Sequence, residues 1–338
     1  MYKKYITFLT PFYLLMHFIR REKCVFVKLN ILFVDVIVVH KNDVNVVDFF
    51  NNVSIKDIHV IKRCRIIVMH DTARKKIYKY SCGESSREII RNFKELGSSS
   101  CLQTPRGHNI ISTKYSVLSS EEYIESDQTK IELFEKETAS VNLFMSMFKA
   151  LDEYHSESLI KMQCIFSEEI NEYDFLIEDH HRYSLDKVKA KICTLYSGSS
   201  QAELYKTKIH GDVTYRNILQ RDGKIYFIDF ERSGIDFPEY DSLNFMLDLS
   251  VHQSGKATYM YYIDYLIDVY LNKQYIDIFS DLHDMKNPNL YNFHNQEFVY
   301  LKFLIRQICI VTNVSYYCKG VNIEFIYDSI LDKLDPGG

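Results

Sequence analysis

Apolar and polar residues alternate in short bursts along the first third of this chain, and recur at three- and four-residue intervals along much of the rest. The stretch from Val25 to His40, VFVKLNILFVDVIVVH, is densely β-branched and predicts one or two strands. From Ile58 onward IHVI, RIIVMHD and KKIYKYS predict three short strands of an antiparallel meander, with turn-forming residues between them at Asp71 to Arg74. SSREIIRNFKELGS then predicts a helix. Ser85 is placed as its N-cap with Glu88 three residues on, Ile89, Phe93 and Leu96 share a face, and Gly97 ends it. NIIST and YSVLSSEEYIES predict two further strands.

After Asp127 the period turns helical. TKIELFEKETASVNLFMSMFKALDEYHSES predicts one long helix, or two joined near Ser140. The remainder reads as mostly helical, as in Tyr259–Lys273 and Asn295–Ser315, apart from a strand pair around residues 209–230. No internal repeat is visible. At 338 residues one core is outgrown. The division expected is an N-terminal extension over 1–45, a β-rich lobe with one key helix over 46–126, and a mostly helical lobe over 127–338.

Composition narrows the class. Hydrophobic residues make up 46% and charged residues 25%, the balance of a folded globular chain. A net charge of −4 argues against a nucleic-acid partner, which needs a basic surface. The eight cysteines (Cys24, Cys64, Cys82, Cys101, Cys164, Cys193, Cys309 and Cys318) include no C-x-x-C pair and no zinc pattern. Scattered reduced thiols place the chain in the cytoplasm. The apolar stretch Tyr5–Ile19, flanked by Lys3, Lys4, Arg20 and Arg21, is shorter than the roughly 20 residues that span a bilayer. Two readings of residues 5–19 stand: packing on the body of the protein, or peripheral contact with the inner face of the membrane.

The chemistry concentrates in Ile209–Phe245, IHGDVTYRNILQRDGKIYFIDFERSGIDFPEYDSLNF. Asp222-Gly223 is a hairpin turn signal between NILQ and KIYFIDF. It sets His210-Gly211-Asp212 before one strand, Asn217 at that strand's start and Asp229 at the end of its partner. Two carboxylates and an amide oxygen thus converge at one end of a hairpin, as phosphoryl transfer requires of a base and two metal ligands.

The spacing Asp-x-x-x-x-Asn with an Asp twelve residues later resembles the catalytic and metal-binding segments of the protein-kinase superfamily. The H-G-D form, followed by I-D-F-E, is similar to the aminoglycoside phosphotransferase and choline kinase branch. Its wording looks most like relatives among small-molecule and cell-envelope saccharide kinases. That resemblance covers about 37 residues by motif and the rest in order and spacing only.

The resemblance implies a bilobal, α+β, protein-kinase-like fold with ATP and Mg²⁺ as cofactors. Asp212 would be the base, Asn217 and Asp229 the metal ligands, and His210 a brace for the loop. Asp241 would be an N-cap that also steadies the loop. Lys79, on the third strand of the lobe, would hold the nucleotide phosphates, with Glu88 orienting it and Glu95 or Glu84 as substitutes. Lys75 and Lys76 compete with Lys79 but sit nearer the turn. Glu121, Glu122, Tyr123 and Ile124 would form the hinge that meets adenine through backbone groups. KRC near Arg63 stands where a glycine-rich loop is expected, which leaves ATP against GTP open.

About ten residues between Glu231 and Asp241 leave no room for a phosphorylatable activation loop, so a small-molecule or glycan acceptor is expected. A saccharide or envelope precursor leads, with aminoglycosides, choline or ethanolamine as alternatives. A pseudokinase binding module stays open, as does a membrane-associated kinase of lipid-linked sugars. Asp236, Glu239 and Asp248 either bind a cationic acceptor or form a solvated face. Tyr259, Tyr261, Tyr262 and Tyr265 either stack on sugars or line the core.

Overall fold

The β-branched runs pair as their alternation predicts. The computed structural model describes residues 24–28, 37–40, 58–62, 66–71, 74–82, 86–95, 101–112, 116–126, 137–177, 181–253, 259–313 and 323–335. The chain divides into two units, the first made of Met1–Ser98 with Thr104–Glu125 and the second of Ser99–Gln103 with Ser126–Gly338. Among the described residues the first is β-rich with one helix and the second mostly helical, the α+β class read from the sequence.

In the first unit β1 (Cys24–Lys28) and β2 (Ile37–His40) form an antiparallel pair. β3 (Ile58–Lys62), β4 (Ile66–Asp71), β5 (Lys76–Cys82), β6 (Gly107–Ser112) and β7 (Ser116–Glu122) form an antiparallel sheet in the order β3-β4-β5-β7-β6. Helix α1 (Ser86–Glu95) lies between β5 and β6 in sequence and packs on β5 and β7. Its Ile89 and Val117 of β7 are buried together, with Val68, Ile90 and Ile110 around them. On β5 Tyr78 and Tyr80 point away from Lys79, because successive side chains in a strand alternate faces.

In the second unit α2 (Glu137–Ser156) leads into β8 (Ile160–Ile165), a short helix α3 (Phe166–Glu169) and α4 (Arg182–Leu195). β9 (Gln201–Ile209) precedes the hairpin of β10 (Ile218–Arg221) and β11 (Lys224–Phe227), and β12 (Gly234–Asp236) follows it. The hairpin closes with Arg221 opposite Lys224, and both turn residues have positive φ, 51° at Asp222 and 71° at Gly223. That is the geometry favoured by an Asp-Gly pair, since it matches the twist of the strands it joins.

A second sheet, β12-β9-β8, was not legible in the sequence. β8 exposes its first four residues and so lacks an apolar alternation. β9 does alternate, but its inward positions are Ala202, Leu204 and then Lys206, a buried lysine that breaks the pattern.

Helices α5 (Glu239–Gln253), α6 (Tyr259–Leu271), α7 (Tyr275–Met285), α8 (Gln296–Asn313) and α9 (Ile323–Leu334) complete the unit. α8 is buried on every side from Phe298 to Ile310, which is why its apolar residues show no single stripe. A second apolar cluster joins Met147, Phe148, Leu151 and Tyr154 of α2 to Val213, Tyr215, Ile218, Phe227 and Phe230. These apolar residues interleave with Asp212, Asn217 and Asp229, so the polar loop lies on a hydrophobic bed.

Residues 5–19, Arg63, Glu84, Ser85 and Gly97, each given a role above, lie outside the described residues. Among those described, no helix is long and apolar enough to cross a membrane.

Candidate active site

The loop between β9 and β10 is held by its backbone before any side chain is considered. Gly211 has φ of 81°, and a β-carbon there would overlap the Arg232 carbonyl. The H-G-D glycine is therefore required twice, for its left-handed conformation and for the close approach of the two chain segments. Gly211→Ala is expected to cost about 1–3 kcal/mol of stability. A denaturant midpoint indistinguishable from wild type would contradict that requirement.

Asp241 gathers the loop. Its Oδ2 accepts the His210 N–H at 2.8 Å and its Oδ1 the Gly211 N–H at 2.7 Å. Asp241 is the third residue of α5, inside the first turn, so it acts on the loop and is not the N-cap expected above. His155 of α2, fully buried, lies with Nε2 at 3.0 Å from Asp241 Oδ2. Burial lowers the His155 pKa, so the neutral ring donates from Nε2. Burial alone would raise Asp241; the donors from His155 and the His210 backbone override it and hold the carboxyl below its ordinary value. Arg306 of α8 closes the other side, donating from Nη2 to the Gly211 carbonyl at 2.7 Å.

His210 couples the loop to the strand that carries Asp229. Its Nδ1 accepts the Asp212 N–H at 3.3 Å, which leaves Nε2–H to donate to the Ile228 carbonyl at 3.0 Å. Ile228 in turn donates its N–H to the Asn217 carbonyl at 2.9 Å. Asp229 follows directly, in the left-handed region at φ 71° and ψ 58°. Such a conformation is uncommon for a residue other than glycine and tends to mark functional positions.

Asp212 and Asn217 meet. Asn217 Nδ2 donates to the Asp212 carbonyl at 2.9 Å and to its Oδ2 at 3.1 Å. The other carboxylate oxygen, Oδ1, accepts from Arg232 Nη1 at 2.9 Å. With its nitrogen committed to Asp212, the Asn217 amide presents Oδ1, a hard oxygen donor, elsewhere. Asp229 adds a carboxylate. That donor set fits Mg²⁺, which takes one or two protein oxygens and completes its shell with phosphates and water. Among the described residues no cluster of three His, Cys, Asp or Glu forms a closed metal cage.

In the first unit Lys79 is buried, and its Nζ lies 3.6 Å from Glu121 Oε1. Asn92 of α1 donates to Glu121 Oε2 at 2.9 Å. Register explains the pairing: Lys79 lies opposite Ser119 and Ile77 opposite Glu121, so Lys79 and Glu121 are diagonal neighbours on the face that α1 covers. One carboxylate beside the lysine comes from the strand, and the Asn92 amide that holds it comes from the helix. Glu88 lies in α1, and its side chain falls outside the described residues. Of the hinge residues, Glu122 gives its N–H to the Arg106 carbonyl and Tyr123 to the Lys75 carbonyl, each at 2.9 Å. Ile124 is buried, and its N–H meets no acceptor among the described residues.

The acidic residues after Asp229 behave differently from either expectation. Asp236 and Glu239 are buried and bonded inside the protein, so they form no solvated face and have no free oxygen for a cationic acceptor. Tyr262 and Tyr265 pack against the main core cluster, the second of the two readings above. Sequence reasoning missed Arg232, His155 and Arg306, and gave Glu121 a hinge role instead of its place beside Lys79. Arg232 had a local signal, since it follows Asp229 by three residues and a 3₁₀ turn over Phe230–Arg232 brings it back to Asp212. The other three reach their partners only through tertiary structure.

No protein-family model matches the chain, and no curated protein sequence does. Solved structures show a distant likeness. Aminoglycoside phosphotransferase APH(4)-Ia, in a ternary complex with ADP and hygromycin B, is 12% identical with a TM-score of 0.48, over 86% of this chain and 98% of that one. A choline/ethanolamine kinase family protein from Mesorhizobium loti is 12% identical with a TM-score of 0.40, over 86% and 95%. Amicoumacin kinase hAmiN, in complex with AMP-PNP, Ca²⁺ and its ligand, is 9% identical with a TM-score of 0.45, over 83% and 89%. At scores below 0.5 these likenesses assign no role to any residue of this chain.

Proposed function

We propose that the protein is an ATP- and Mg²⁺-dependent phosphotransferase that moves a γ-phosphate to a hydroxyl of a small molecule, with a saccharide as the acceptor. The observation that carries this reading is the contact of Asp212 with Asn217, whose carbonyl also accepts the N–H of Ile228, the residue before Asp229. Asp212 accepts the proton of the attacking hydroxyl, and its two oxygens are oriented for that by Arg232 and Asn217. Asn217 Oδ1 and Asp229 would hold the magnesium, which neutralises charge on the phosphates when bound. Lys79, kept in place by Glu121, supplies a cation for the α- and β-phosphates. Ile124 supplies the backbone contact to the base. The short Glu231-to-Asp241 connection supports a small acceptor over a protein substrate.

The reading is tested by ADP release with and without Mg²⁺ across a panel of hydroxyl compounds. Chelation is expected to abolish turnover, and Lys79→Ala to lower kcat/KM for ATP by about 10²-fold. Acceptor-stimulated release that survives chelation would remove the metal assignment. A chain that binds ATP but turns over none of the acceptors would be a binding module instead.

A further inference from the structure

Three acidic side chains after Asp229, namely Asp236, Glu239 and Asp248, were the natural candidates for gripping an ammonium group on an acceptor. Two of them are consumed inside the protein. Asp236 is bonded to Lys302 at 3.1 Å, to its neighbour's N–H at 3.0 Å and to the Tyr173 hydroxyl. Glu239 is fully buried and accepts from both the backbone N–H and Nδ2 of Asn292. Burial pushes its carboxyl up to about 7.

Asp248 differs, because its Oδ2 is buried without a partner among the described residues. So are the Tyr262 hydroxyl on α6 and Nη1 of Arg306 on α8. These three share one neighbourhood beside the loop. The charges of Asp248, Asp212, Arg306 and Arg232 all act on Tyr262, and those of Arg216 and Asp212 act on Asp248. Arg306 is 5% exposed and already binds the loop at Gly211. A buried polar group left unpaired costs about 1–3 kcal/mol, and folded proteins keep few of them. Arg306 meets the loop at Gly211 and Asp248 accepts the Tyr215 N–H, on either side of Asp212 in the chain, so a ligand reaching the candidate base would find these partners beside it.

Their chemistry selects the ligand. Asp248 accepts, Arg306 donates and Tyr262 does either. A hydroxyl both donates and accepts, so a compound carrying several hydroxyls can meet all three. An ammonium only donates, so it would leave Arg306 unpaired. It would also enter a neighbourhood where Asp212 and Asp248 face three guanidiniums, Arg216, Arg232 and Arg306, with no surplus of negative charge to attract it.

We propose that Asp248, Tyr262 and Arg306 form the acceptor subsite, and that it takes an uncharged polyhydroxyl compound and rejects cationic amines. This rests on the phosphotransferase reading above and narrows it, setting aminoglycosides and choline aside as acceptors.

The experiment has two arms. In the first, ADP release is followed with neutral sugars and polyols, a sugar phosphate, an aminoglycoside and choline. Stimulation by a neutral polyol alone is expected, and Tyr262→Phe should raise its KM about tenfold with kcat little changed, as the loss of one hydrogen bond predicts. In the second, binding of the same compounds to Asp212→Ala is measured by calorimetry, which needs no turnover. Asp212-dependent release with an aminoglycoside or choline would overturn the subsite while leaving the kinase reading intact. So would an unchanged KM in Tyr262→Phe. Failure to bind ATP at all would remove the kinase reading itself.

Discussion

Asp212→Ala is expected to lower the rate of acceptor phosphorylation by about 10³-fold or more, the upper part of the range for loss of a general base. The side chain is 22% exposed and is not part of the apolar bed beneath it. Its loss removes one acceptor from Arg232 and one from Asn217, but Asn217 keeps the Asp212 carbonyl at 2.9 Å. The thermal midpoint should therefore move little. Asp212→Asn makes the cleaner comparison. It preserves size and still places an amide beside Arg232, yet cannot take a proton. If Asp212 acts as the base, Asn and Ala should be equally inactive in single-turnover assays. If it only orients the acceptor, Asn should recover much of the rate. Either variant keeping more than a tenth of wild-type activity would remove the assignment.

Lys302→Met is expected to cost about 3–5 kcal/mol of stability, the penalty for taking one partner from a buried ion cluster. Lys302 is fully buried and bonds to Glu169, to Glu172 at 2.6 Å and to Asp236 at 3.1 Å. Lys206, the buried lysine of β9, shares Glu169 and Glu172 with it, each at 2.8 Å. Burial opposes the charge on Lys302, but Asp236, Tyr173 and the two glutamates raise its pKa well above the ordinary value. Methionine keeps the volume and deletes the charge, leaving Lys206 to balance Glu169 and Glu172 and taking from Asp236 its bonded lysine. The sign with pH follows. Burial would raise the Glu169 carboxyl, but Lys302 and Lys206 hold it below its ordinary value, so in the variant its folded pKa rises. The deficit should be full near neutrality and shrink as pH falls through the carboxylate range and Glu169 takes up a proton. A neutral-pH midpoint within error of wild type would show that the cluster contributes nothing.

The cluster also shows where the sequence stops informing. Lys206 sits at a position where alternation demands an apolar residue, and Lys302 lies in an otherwise apolar helix. Each looks like an error in its own element. Only when β9, α3, β12 and α8 come together does the misfit resolve, because the carboxylates that neutralise these lysines come from elsewhere in the chain. The same holds at the loop. His155 and Arg306 brace it from two helices, and nothing local in their segments announces it, whereas the motif resemblance already pointed to Asp241.

What the sequence settled by itself was local: the meander of the first unit, helix α1, the Asp-Gly hairpin, and the convergence of Asp212 with Asn217 at its base. Those features depend on side chains a few residues apart, whose geometry the backbone dictates through strand alternation, helical period and turn chemistry. Tertiary structure alone decided that Lys79 pairs with Glu121, that Asp236 and Glu239 are spent inside, and that Asp248 Oδ2, the Tyr262 hydroxyl and Arg306 Nη1 meet no partner among the described residues. A buried charge or donor must find a partner wherever the folded chain brings one, and sequence distance places no limit on where that is.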